Sequence, residues 1–146
     1  MAKEVEVQAA LIGPMAWSII SARGGPRVVV DVPESEGGEN SGPTPMELLL
    51  MSLAGCTGMD VISILRKQRQ QVTGYEIRVH GIRADQDPKV YVDIQVEHVV
   101  TGHQVEPRAL QRAIELSETK YCSVSGTISG TAKITTSYRI IEATED

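Results

Sequence analysis

Gly42–Lys67 reads GPTPMELLLMSLAGCTGMDVISILRK, and this stretch decides the fold. It opens with a helix start: Thr44 as the N-cap, Pro45 at the first helical position, and Glu47 three residues after Thr44 to close a capping box. The predicted helix runs to about Gln71. Its first half, Leu48–Gly55, is apolar on all sides apart from Ser52, so it must be covered all round. Its second half is amphipathic, with Val61, Ile62, Ile64 and Leu65 set against Arg66, Lys67 and Arg69. Met46–Leu65 is the most apolar run of the chain, yet it carries Glu47 and Asp60. Carboxylates are costly at membrane depth, so the reading is a buried soluble helix and no membrane partner.

Working outward, residues 4–12 (EVEVQAALI) alternate as a strand does, and Gly13-Pro14 is a turn. Residues 16–21 and 27–32 are two further strands, joined by the tight turn Arg23-Gly24-Gly25-Pro26. A polar, Gly-rich loop spans Pro33 to Pro43. After the helix, 74–83 and 89–100 read as strands; in the second, Val90, Val92, Ile94 and Val96 share one face. A second helix runs from about Pro107 to about Lys120, with Leu110, Ala113, Ile114 and Ser117 on one stripe. A Ser/Gly-rich segment, Ser123–Gly130, precedes a last strand at 131–140. The connections look mostly like hairpins, so the expected fold is a single α+β domain, 1–146, with antiparallel sheets packed on the long Cys-bearing helix. One sheet of this size cannot easily cover a helix that is apolar on every side. A homodimer burying the helix around Ser52, Gly55, Cys56 and Met59 is therefore expected.

The 146 residues suffice for one core. Phe is absent and aromatics make up 3%, leaving few platforms for stacking on bases; with a net charge of −5 this argues against a nucleic-acid partner. No basic segment followed by a long apolar run opens the sequence, so a cytoplasmic location is expected. Two cysteines in a reducing compartment read as catalytic, redox-sensing or simply buried, not as a structural disulfide. There is no Cys-x-x-Cys and no Cys/His cluster, so neither a metal nor a cofactor is assigned.

Gly42–Lys67 resembles the Cys-bearing helix of the OsmC/Ohr (hydroperoxide-reductase) family, and YCSVSGTI, Tyr121–Ile128, resembles that family's second-cysteine segment. The order of elements also fits, so the resemblance covers essentially the whole chain. It implies an intertwined homodimer that reduces organic hydroperoxides or hydrogen peroxide, with Cys56 as the peroxidatic and Cys122 as the resolving cysteine. It further implies a dithiol reductant, such as a lipoylated protein. The chain departs from the family's peroxidase pattern at two positions. Met46 stands where a Glu follows the helix-start Pro, and Met15 stands near the position of an Arg that pairs with it.

The residues themselves set the demands on Cys56. A thiolate is the reactive form, but Cys56 lies about three turns inside its helix, beyond the reach of the N-terminal dipole. Asp60, one turn on, opposes a thiolate unless it is paired; it is also a candidate proton relay. Arg23, otherwise a solvent-facing turn residue, is the candidate replacement cation. Glu47 is explained by its capping box and kept as a supporting candidate. His98 falls in register with Val96 and Val100 and reads as a core or interface histidine. The alternative to a peroxidase is a redox sensor or a small hydrophobic ligand-binding protein on the same scaffold, with methionines lining an apolar pocket beside the thiol.

Overall fold

The computed structural model describes residues 3–144. Contacts gather these into two compact units, one through Leu49 and one from Leu50 onward.

The first unit is an antiparallel meander of β1 (Val7–Leu11), β2 (Trp17–Ser21) and β3 (Val28–Val30). Val7 pairs with Ser21 and Trp17 with Val30. Gly24 and Gly25 turn the β2–β3 corner with φ of +90° and +96°, a region that glycine enters without a Cβ clash. All five residues of β1 are exposed. Beyond β3, Asp31 is buried and organises the loop around itself. Its Oδ1 accepts from the Val32 N–H at 2.8 Å. Its Oδ2 accepts from the Ser41 hydroxyl at 2.6 Å, the Ser41 N–H at 3.0 Å and the Glu39 N–H at 3.2 Å. These donors, Ser41 foremost, hold the Asp31 carboxyl down at about 2.

Helix α1 (Pro45–Lys67) starts as expected. The Thr44 N–H donates to Glu47 Oε1 at 3.0 Å, and the Glu47 N–H donates to Thr44 Oγ1 at 3.2 Å, which is the reciprocal capping box. The helix stops at Lys67, short of the expected Gln71. Arg69 takes a left-handed conformation, φ +58°, and the Gln70 N–H closes back onto the Leu65 carbonyl at 2.9 Å. This is a helix stop made without glycine, so no punctuation marked it in the sequence.

In the second unit β4 (Gln71–Arg83), β5 (Tyr91–His103) and β6 (Lys133–Glu142) form one sheet with β5 in the middle. Buried Leu53, Thr57, Val61 and Leu65 recur every fourth residue of α1 and make one stripe. Val61 and Leu65 join Val100, Val105, Leu110, Ala113 and Ile114 in an aliphatic core. Helix α2 (Pro107–Leu116) supplies the last three of these through the expected stripe, which continues to buried Ser117. His98 is fully buried, as its register predicted. Tyr75 Oη lies 2.6 Å from its Nδ1, and burial pulls the imidazole down to about 4, so it is neutral at physiological pH.

Several details depart from the expected picture. β4–β5 is antiparallel, but β5–β6 is parallel. The connection through α2 and α3 is a crossover, and a crossover returns the chain to the end it left. The strict alternation of β5 also breaks. Arg83 pairs with Tyr91 and Ile82 with Asp93, leaving Val92 as a bulge. Tyr91 is thereby turned inward and Val92 outward. Gly81 makes room, since a Cβ there would lie 2.6 Å from the Tyr91 ring. The second helix passes into a π-turn, Ser117–Tyr121. Ser123–Ile128, inside the Ser/Gly-rich segment, forms a short helix, α3. Within the single chain, Met51 and Met59 of α1, the helix for which a covering partner copy is expected, are 52% and 73% exposed.

Candidate functional site

Cys56 sits on the regular part of α1, half-buried, beside the buried Leu53–Leu65 stripe. Asp60 is one turn further on and shares that face of the helix. Cys122 arrives from a different direction, at the joint between the π-turn and α3, and is buried. The two sulfurs and an Asp60 carboxylate oxygen all lie within 4.8 Å of one another. The sequence singled out these three residues, and the fold brings them together.

The π-turn makes the meeting specific. Its closing bond runs from the Cys122 N–H to the Ser117 carbonyl at 2.8 Å, a span one residue longer than an α-helical bond. Such an insertion re-aims the following side chain and is frequent at functional sites. The Cys122 sulfur then serves as the N-cap of α3, accepting from the Ser125 N–H at 3.3 Å. Burial raises the Cys122 thiol to about 11; the neighbouring Cys56 and the Asp60 charge push the same way, against the Ser125 bond. At neutral pH Cys122 is therefore a thiol.

A buried hydrogen-bond chain fixes Asp60. The Ser117 hydroxyl donates to Asp60 Oδ2 at 2.9 Å and lies 2.9 Å from Thr57 Oγ1. Ser117 has a single proton and gives it to the carboxylate, so Thr57 is the donor of the second bond. Thr57 and Ser117 were not among the sequence candidates. Their signal was present, since each is a hydroxyl on an otherwise apolar buried stripe, where a polar group needs a partner. Among the described residues, none of the ion pairs involves Asp60.

The other two candidates belong to the first unit. Arg23 lies in the exposed β2–β3 turn, its N–H on Ser21 Oγ at 3.2 Å. The Glu47 carboxylate is engaged by Thr44, whose bonds hold it below the usual range.

The sequence pattern of OsmC-like proteins matches residues 38–137, which takes in the capped helix, both cysteines and most of the β4–β5–β6 sheet. The chain belongs to the OsmC-like protein family. It is 39% identical over 107 residues to the protein YhfA of Escherichia coli K12, spanning 71% of this chain and 80% of that one. Among solved structures, a protein from Aquifex aeolicus VF5 superposes with a TM-score of 0.86 at 31% identity, covering 98% of this chain and all of that one. An organic hydroperoxide resistance protein OsmC from Legionella pneumophila shares the fold with a TM-score of 0.71 at 14% identity, covering 94% and 98%. The mixed α+β architecture with a central Cys-bearing helix is thus the OsmC-like one. Helix α1 is long and apolar enough to cross a membrane. Its buried stripe and its bond through Asp60 to Ser117 make it a core helix instead.

Proposed function

We propose that the chain reduces organic hydroperoxides or hydrogen peroxide through Cys56 and Cys122, with a dithiol as the final reductant. The observation that carries this reading is the approach of two sulfurs, 66 positions apart in sequence, to within 4.8 Å in unequal surroundings. Cys56 is half-buried and reachable; Cys122 is buried and held as a thiol. That asymmetry suits an attacking and a resolving sulfur.

In this reading the Cys56 thiolate attacks one peroxide oxygen. An S–O bond forms, the O–O bond breaks, and the leaving alkoxide takes a proton and departs as the alcohol, or as water from hydrogen peroxide. The Cys122 sulfur then attacks the sulfenic Cys56 sulfur. An S–S bond forms, the S–O bond breaks, and hydroxide leaves as water with the Cys122 proton. Closing to a disulfide bond of about 2 Å asks for movement in the π-turn, where the helix is irregular. A dithiol, for example on a lipoylated protein, restores both thiols by exchange. The protein acts in a reducing, cytoplasmic compartment and as a homodimer, since the exposed Met51 and Met59 of α1 call for a partner surface.

The test is to mix reduced protein with cumene hydroperoxide and look for a Cys56–Cys122 cross-linked peptide by mass spectrometry. Peroxide consumption sustained by a dithiol supports the reading, and its absence with every dithiol donor removes it. A monomeric mass at micromolar protein would remove the dimer alone. A redox sensor without turnover is the second reading, favoured by Asp60, whose charge opposes a Cys56 thiolate. Stoichiometric oxidation that stops after one equivalent of peroxide would select it.

A further inference from the structure

We propose that the reduced Cys56–Asp60–Cys122 cluster binds a thiophilic divalent cation, with Zn²⁺ the fitting ion, and that metal binding and disulfide formation exclude one another. Two sulfurs and one carboxylate oxygen converge within 4.8 Å of each other. Around a tetrahedral zinc, with bonds of about 2.3 Å to sulfur and 2.0–2.2 Å to oxygen, donor atoms stand roughly 3.5–3.8 Å apart. The three donors therefore need to close by up to about 1.3 Å. The set is two soft sulfurs and one carboxylate. That suits zinc and disfavours magnesium and calcium, which require oxygen ligands throughout.

The carboxylate is prepared for the role. Asp60 Oδ2 is engaged by the Ser117 hydroxyl, itself held by Thr57, so the side chain is oriented. Outer hydrogen bonds of this kind are how metal-binding carboxylates are aimed. Charge points the same way. With both thiols deprotonated the cluster carries three negative charges, and among the described residues none of the ion pairs supplies Asp60 with a cation. A divalent ion at the centre provides the missing positive charge. Three protein donors leave a fourth tetrahedral position for water.

Oxidation would then expel the metal. Two zinc-bound thiolates, one peroxide and two protons yield the disulfide, the alcohol, water and free Zn²⁺. The site needs only the reduced cysteines, so it stands or falls apart from peroxide turnover.

Reduced full-length protein is titrated anaerobically with Zn²⁺ against a chromophoric chelator. One equivalent per chain is expected, with none retained after diamide has formed the disulfide. Asp60→Asn keeps an acceptor for Ser117 but loses the charge, and should weaken binding at least as much as loss of an outer-shell partner, roughly 10–100-fold. Co²⁺ in place of zinc should give sulfur-to-metal charge-transfer absorption that weakens in Cys122→Ser. The proposal is overturned if reduced protein takes up no more zinc than a Cys56→Ser/Cys122→Ser double variant. It is equally overturned if the disulfide form binds as well, or if Asp60→Asn binds as tightly as the wild type. Should Asp60→Asn fail to fold, the wild-type Co²⁺ spectrum decides: thiolate charge-transfer bands support the site, and their absence overturns it.

Discussion

The two cysteines carry one side chain in two backbone settings. Cys56 stands on the straight part of a long helix whose neighbouring stripe is locked into the core, and it stays half-buried. Cys122 stands where helical geometry fails, after a π-turn and before a six-residue helix that its own sulfur caps. Regular backbone presents one sulfur to a reagent. Irregular backbone buries the other and raises its thiol. The difference in role proposed for them rests on where each chain segment puts the same atom.

The sharpest way to break the comparison is to remove each sulfur. Cys56→Ser should bring peroxide consumption down to the buffer rate. Cys122→Ser should still consume one equivalent, leaving Cys56 heavier by one oxygen in the mass spectrum. Equal losses from both would mean that the two sites are not distinct.

A second way is to loosen the mounting of Cys122. Leu110 is fully buried and anchors α2, the helix that leads into the π-turn. Leu110→Ala should lower stability by about 2–5 kcal/mol in urea unfolding, and should slow Cys56–Cys122 disulfide formation beyond what unfolding explains. Next comes the bridge between the two regions. Ser117→Ala removes the donor to Asp60 and the acceptor for Thr57, a loss of about 1–3 kcal/mol for buried groups left unmatched. Its disulfide should form at an altered rate, because Asp60 is no longer held beside both sulfurs.

Smaller still is the cap. Cys122→Ser retains an oxygen to receive the Ser125 N–H, whereas Cys122→Ala does not, so the serine variant should be the more stable by about 1 kcal/mol. The titration of Cys122 gives a last contrast. Its folded thiol lies at about 11, above its reference value of 9.0. The unfolded chain therefore loses this proton first, and the stability it contributes is present below pH 9.0 and lost as pH rises toward about 11. Iodoacetamide should accordingly label Cys122 slowly in the folded protein at neutral pH. The midpoint of unfolding should drift down across that alkaline window, and the drift should be smaller in Cys122→Ser; the buried Tyr75 phenol, also raised above its ordinary value of 10.0, supplies the remainder at the alkaline end.

Much of this was legible in the residues. The Thr44–Glu47 capping box, the glycine turn at Gly24-Gly25, the α2 stripe and the buried register of His98 all rest on local chemistry, in which each residue's neighbours in sequence are its neighbours in space. Where the reading missed, the deciding contact was distant or unmarked. The stop of α1 relied on a left-handed arginine, with no glycine to announce it. Val92 bulges because the inward Tyr91 ring is accommodated over Gly81 on the neighbouring strand. The parallel pairing of β6 depends on the crossover through α2 and α3 rather than on the strand's own pattern.

The sequence by itself determined the long capped helix, the OsmC-like order of elements and the two cysteines, because periodicity, capping and punctuation are properties of short stretches. Only the tertiary structure decided that Cys56, Asp60 and Cys122 share a space of 4.8 Å and that Ser117 and Thr57 tether the carboxylate. The physical reason is that a π-turn shifts every later side chain by a fraction of a helical turn. No local propensity records such a shift, and the packing of α2 against the sheet fixes where it lands.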